Sequence, residues 1–260
     1  DISLAGTNAK VYRSDDYNGF LFNIASKKAA TLSNITIDGN SDINKNIEKS
    51  LVHVDSNATL KIDDEAVLKN NKIKDNINDP TRGGAIHAEG AKIIMCGGLI
   101  EVNGATYGAG ICLSQSTMNF TSGTIRNNES KTVTENIAGQ SYSAGGGILA
   151  EKGSTINMSG TAQLLNNKSG EIGGAISLGS QDISEGSTLY MNGGNIEGNT
   201  AGAAGGGIFI QCKFDSGSES KAYINKGKII NNSMTGKGKT DKAFGGGGIY
   251  VNGAPENFHY

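Results

Sequence analysis

An aliphatic residue followed three positions later by asparagine recurs seven times in this 260-residue chain. The pairs are Ile37/Asn40, Leu68/Asn71, Ile100/Asn103, Ile125/Asn128, Leu164/Asn167, Ile196/Asn199 and Ile229/Asn232. The asparagines lie 31, 32, 25, 39, 32 and 33 residues apart. A repeat of that period marks a chain built by stacking one small unit on the next, each burying its apolar face only against its neighbours.

A second motif divides each repeat. Gly-small-small-Ile occurs at 83–86, 108–111, 145–148, 173–176, 205–208 and 246–249. Two residues beyond each Ile stands Ala88, Leu113, Ala150, Leu178, Ile210 or Val251. This in-out-in spacing is that of a short strand rather than a helix. Further in-out-in pairs follow: Leu60/Ile62, Ile93/Met95, Met118/Phe120, Ile156/Met158, Leu189/Met191 and Ala222/Ile224. The aliphatic residue of the Asn motif supplies a third strand. Its following residue (Asp38, Lys69, Glu101, Arg126, Leu165, Glu197, Ile230) is charged at five of seven positions, as an exposed site should be.

The pattern predicts an all-β fold: a single-stranded right-handed parallel β-helix, or solenoid, of about seven coils with three short strands each. The hand follows from the rule for parallel crossovers. Like residues then stack in columns. Asn40, Asn71, Asn103, Asn128, Asn167, Asn199 and Asn232 are expected to form a ladder of amides at one corner, a position where Asn also accepts left-handed backbone. Residues 1–18 fit the motifs poorly and are expected to be an N-terminal cap or degenerate coil. Residues 19–260 are read as the β-helix, with an incomplete last coil, and the chain as a piece of a longer protein.

Composition agrees. Thirty-nine Gly and two Pro favour many tight turns over collagen or Pro-rich linkers. A formal net charge of −2, with only three Arg, gives no footprint for nucleic acid. No run of apolar residues is long enough for a membrane span. Cys96, Cys112 and Cys212 form no C-x-x-C and fall at different points of the repeat, so neither a zinc site nor a disulfide framework is expected. No cofactor is called for.

The first strand exposes the column His53, His87, Cys112, Leu149, Ser177, Phe209 and Tyr250. Long insertions flank it at 72–82, 129–144, 180–187, 213–221 and 233–244. Loops on a rigid scaffold are the usual carriers of function. The candidate ligand-binding residues are therefore His87, Leu149, Phe209 and Tyr250, with Tyr142 and Phe244 on the insertions. Catalytic signals are thin. His53, His87 and His259 show no adjacent carboxylate pattern. Asp182, Glu185, Asp215, Glu219 and Asp241 are the carboxylates from which a facing acid/base pair would have to come. The calcium-binding nonapeptide repeat is absent.

Gly-Gly-Ala-Ile at 83–86 and 173–176, with its variants and the aliphatic-x-x-Asn motif, resembles the paired GGAI and FxxN repeats of chlamydial polymorphic outer membrane proteins. It also resembles the wider set of β-helical bacterial surface adhesins. Ile or Leu here replaces Phe. The resemblance implies a non-catalytic binding or display module, extracellular, on a bacterial surface or secreted, contacting a glycan or a host or matrix protein, as a monomer or part of a longer chain. Pectate lyases and polygalacturonases share the architecture alone, since neither Gly-His-Gly nor Arg-x-Lys occurs. A polysaccharide lyase or glycoside hydrolase, and a ligand-free structural stalk, are the alternatives.

Overall fold

A computed structural model describes residues 2–76, 79–131, 143–180, 185–212, 219–236 and 245–253. Among these the protein is all-β, without helices, and every strand pairing is parallel. The strands form three sheets.

The first sheet has eight strands, in the order Phe22–Ile24, Val52–Val54, Ile86–Glu89, Ile111–Ser114, Ile148–Glu151, Ile176–Leu178, Ile208–Gln211 and Ile249–Asn252. Each pairs with the equivalent strand of the repeat before and after it. The Ile of Gly-small-small-Ile stays in one file: Val52, Ile86, Ile111, Ile148, Ile176, Ile208 and Ile249 are register partners in turn.

The second sheet has ten strands. Its two apolar files, Leu60–Ile93–Met118–Ile156–Leu189–Ala222 and Ile37–Leu68–Ile100–Ile125–Leu164–Ile196–Ile229, also run in register. The two strands expected from sequence are separate in some repeats, as in Thr59–Ile62 and Val67–Lys69. In others they fuse into one kinked strand, as in Lys92–Glu101 and Thr117–Arg126. The kink is borne by a left-handed residue, Gly98 and Gly123 in these two, where the pairing register also shifts. Ile2–Tyr12 pairs with Ala29–Asp38, so part of the expected cap is a strand at the edge of this sheet.

The third sheet was not expected. Five two-residue strands, Gly104–Ala105, Glu129–Ser130, Lys168–Ser169, Thr200–Ala201 and Ser233–Met234, follow directly on the motif asparagines.

Inward residues of the first two sheets meet in one apolar core, in which Ile86, Ile93, Ile100, Ile111, Met118, Ile125, Ile148, Ile156, Leu164, Ile176 and Ile208 are fully buried. Burying such a side chain is worth roughly 1.5–3 kcal/mol, but only where a neighbouring repeat covers it. Ile249 and Val251, which have no strand beyond them among the described residues, remain 39% and 49% exposed.

Two files of side chains hold the corners. The Oδ1 of Asn103, Asn128, Asn167, Asn199 and Asn232 each accepts the backbone N–H of the preceding motif asparagine, at 2.8–3.2 Å. From Asn103 onward the side-chain Nδ2 also donates to that same oxygen, at 2.9–3.0 Å. Six asparagines, Asn71 to Asn232, thus form the file. Asn40 lies outside it, its amide donating to Arg13 O and Asp15. The end of the file is closed by the buried Arg13, whose guanidinium donates to Asn71 Oδ1 at 3.0 Å and to the carbonyls of Lys49 and Ser50. Burial lowers the Arg13 pKa to about 10, which leaves it charged at neutral pH. The left-handed backbone belongs to the residue before each ladder asparagine: Asn70, Val102, Asn127, Asn166, Gly198 and Asn231. A second ladder of serines stands at the corner between the first and second sheets. Ser116, Ser154, Ser187 and Ser220 each accept, on Oγ, the backbone N–H of the equivalent residue one repeat earlier.

Candidate functional site

Gly83, Gly108, Gly145, Gly173, Gly205 and Gly246 share a left-handed φ of 58–72°. A Cβ at any of them would lie 2.2–2.5 Å from the carbonyl oxygen of the Ile three residues on. Only glycine lets the chain double back there. The turn brings the residue before it onto the face of the first sheet turned away from the main core. Those residues, Arg82, Tyr107, Ala144, Ile172, Ala204 and Gly245, themselves pair in a file of single bridges.

This gives the face two different halves. In one, Cys112, Leu149 and Phe209 pack with Tyr107, Ala144, Ile172 and Ala204 into a second apolar cluster. Leu149 is fully buried and Phe209 is 4% exposed, so neither offers a stacking face. Tyr250 is half-buried, its ring stacked on Phe209 with centroids 5.8 Å apart. Tyr142 and Phe244 lie outside the described residues, as do Asp182, Asp215, Asp241 and His259. Glu185 and Glu219 are exposed.

The other half is polar and open. His53 and His87 are register partners on neighbouring strands. Their rings meet edge to face at 5.3 Å, and Phe20 stacks on His53 at 4.7 Å. Beside them opens a cleft of about 380 Å³, lined among others by Phe20, Lys49, Lys74, Asp75, Arg82 and His87. Lys49 Nζ sits 5.9 Å from the centre of the Phe20 ring. Arg82 is fixed by Glu151, at 3.3 Å, and lies over the Tyr107 ring at 5.4 Å. The volume falls in the range of small-ligand sites.

The histidines carry carboxylates that sequence reasoning missed. His53 is followed two residues later by Asp55, and His87 by Glu89, on the same face of adjacent strands. His53 Nδ1 stands 3.1 Å from Asp55 Oδ1 and 3.0 Å from Asn23 Oδ1. Its Nε2 is 3.6 Å from Glu89 Oε2, and His87 Nε2 is 3.5 Å from Glu89 Oε1. His87 is mostly buried, and its Nε2 makes no hydrogen bond. Burial, reinforced by His53, Arg82 and Lys152 and opposed by Glu89, lowers the His87 pKa to about 4, so the ring is neutral at pH 7. The detectable signal was His-x-acid at the same position of two successive repeats. Each acid stands two residues on, one pleat away from its histidine, so adjacency in sequence does not reveal the pair.

Cys112 follows His87 in the same file but is fully buried. Burial, with Glu151 and Glu89 nearby, pushes its thiol pKa well above the usual range, which removes the thiolate a nucleophile needs. Comparison with protein-family models, with characterised proteins and with solved structures gives no match, so the likeness to surface-protein repeats rests on the two motifs alone.

Proposed function

We propose that the chain is a right-handed parallel β-helix of about seven coils that serves as a non-catalytic binding module of a bacterial surface or secreted protein. Support for the architecture is the pairing of each strand with its equivalent one repeat away, always parallel and in register over all three sheets. Support for the role is one feature: a single face of a rigid, ladder-stapled scaffold carries an open cleft that combines an aromatic ring with cations and carboxylates. Such a mixture suits a polyhydroxylated ligand, which stacks its C–H face on a ring and shares its hydroxyls among charged groups. A glycan is therefore the preferred ligand. The Phe20, Lys49 and Arg82 end of the face is the preferred site, in place of the Leu149 and Phe209 end.

Glycan-array screening of the chain, followed by calorimetry on any hit, tests this reading. Phe20→Ala is expected to weaken binding about tenfold, the loss of one stacking contact. Phe209→Ala, which alters the apolar cluster, is expected to lower stability without removing binding. Binding only to a host or matrix protein would shift the ligand class. No binding to glycan or protein would leave the ligand-free stalk as the better account. Release of shortened saccharides would favour the lyase or hydrolase alternative.

A further inference from the structure

We infer that His53, His87 and Glu89 form a binding site for one divalent transition-metal ion of the zinc type at the edge of the cleft. One donor atom from each residue lies within 4.8 Å of the other two. The two imidazole Nε2 atoms stand 3.6 and 3.5 Å from the two oxygens of the one carboxylate. Ligands held about 2.0–2.1 Å from a tetrahedral ion are spaced by about 3.4 Å. Both histidine-to-carboxylate spacings are thus close to that value, each imidazole facing a different oxygen of Glu89.

The surroundings match what a metal-binding histidine requires. His53 directs Nδ1 to Asn23 Oδ1 and Asp55 Oδ1, at 3.0 and 3.1 Å. A hydrogen bond donated there fixes the tautomer whose Nε2 lone pair faces Glu89, the carboxylate–histidine arrangement that orients ligands in metal sites. His87 Nε2 is buried and without a hydrogen-bond partner, an expensive condition for a polar atom and one that an ion would relieve. Glu89 is 56% exposed in its side chain, which leaves an entry path from solvent. The nearest guanidinium, Arg82, is already paired with Glu151. Two imidazoles and one carboxylate are the donor set of zinc and its neighbours, not of calcium or magnesium.

The inference stands apart from the glycan reading, because its test involves no saccharide. The untagged, chelator-treated full chain is titrated with ZnCl₂ by calorimetry, and Co²⁺ is added as a spectroscopic probe. One Zn²⁺ per chain is expected, with a visible Co²⁺ spectrum of low coordination number. His87→Ala and Glu89→Gln should each weaken binding at least tenfold. Asp55→Asn should weaken it about tenfold, the effect of losing an orienting partner. His259→Ala should leave it unchanged. Far-UV circular dichroism of each metal-free variant verifies the fold, and Glu89→Gln, at an exposed position, serves even if His87→Ala misfolds. The inference is overturned if the chain takes up no zinc, or if stoichiometry and affinity survive Glu89→Gln and His87→Ala.

Discussion

The amide of Asn128 shows what one repeated residue does here. Its Nδ2 donates to Ile100 O and Asn167 Oδ1, and its Oδ1 accepts from both N–H groups of Asn103. All of these groups are buried, and each one left unpaired costs about 1–3 kcal/mol. Asn128→Ala is therefore expected to destabilise the protein by about 3 kcal/mol or more in urea denaturation. Asn40→Ala, at the same motif position but outside the file, should cost less, about 1–2 kcal/mol, chiefly because Ala is disfavoured at its φ of 55°. Equal effects would contradict the role given to the ladder. The residue before the ladder carries a separate requirement. Val102 adopts φ 57°, where four equivalent positions have Asn and one has Gly. A β-branched residue is strained there. Val102→Asn should raise stability by about 1 kcal/mol, read as a higher urea midpoint with unchanged slope.

At the scale of the element, close approach of backbones decides which substitutions are tolerated. Gly145 has φ 65°, and a Cβ there would come within 2.4 Å of Ile148 O. Gly248, at the third motif position of the last described repeat, meets nothing nearer than Ile229 Cγ2 at 3.9 Å among the described residues, whereas a Cβ at the equivalent Gly207 would lie 2.5 Å from Gly248 O. Gly145→Ala is expected to cost about 3 kcal/mol or more, whereas Gly248→Ala should change stability by less than about 1 kcal/mol. Thermal denaturation of both variants distinguishes a glycine held by its turn and by close backbone contact from one on which no later described repeat presses. The same turn lays Tyr107, Ala144, Ile172 and Ala204 against the first sheet. Without that fold-back, Leu149 and Phe209 would stand in solvent, as their place in the strand pattern led one to expect. It is also why an alternation of apolar residues, read alone, assigned them to a binding face.

For the whole molecule, strand pairing in the proposed solenoid runs only between neighbouring repeats, with a longer reach such as Arg82 to Glu151 an exception, so its length should be adjustable in whole units. Deleting residues 149–176 joins Ile148 to Ser177 and puts Ile148 in the place of its register partner Ile176. The shortened chain is expected to keep a β circular dichroism spectrum and a cooperative unfolding transition, with the Asn ladder one member shorter. Deleting residues 149–162 instead removes half a repeat, breaks every file at once and should leave the chain unfolded. If both deletions behaved alike, repeat stacking would not be the organising principle.

The strands of the first two sheets, their parallel register and their apolar files were legible in the sequence, because a repeat carries the same side chains to the same place and each file needs like residues; the two-residue strands of the third sheet and Ile2–Tyr12 carry no such apolar alternation and were not. It also pointed to the asparagine corner, though not to which residue there is left-handed. Tertiary structure alone decided the rest. The Gly turns fold the chain back over one half of a face and bury it. Arg13, remote in sequence, closes the ladder at Asn71. His53 and His87, 34 residues apart, meet with Glu89 only because their strands are neighbours. A short-range pattern records what each strand buries. It does not record which segment returns to cover the other side, and that choice sets where this protein has an open surface.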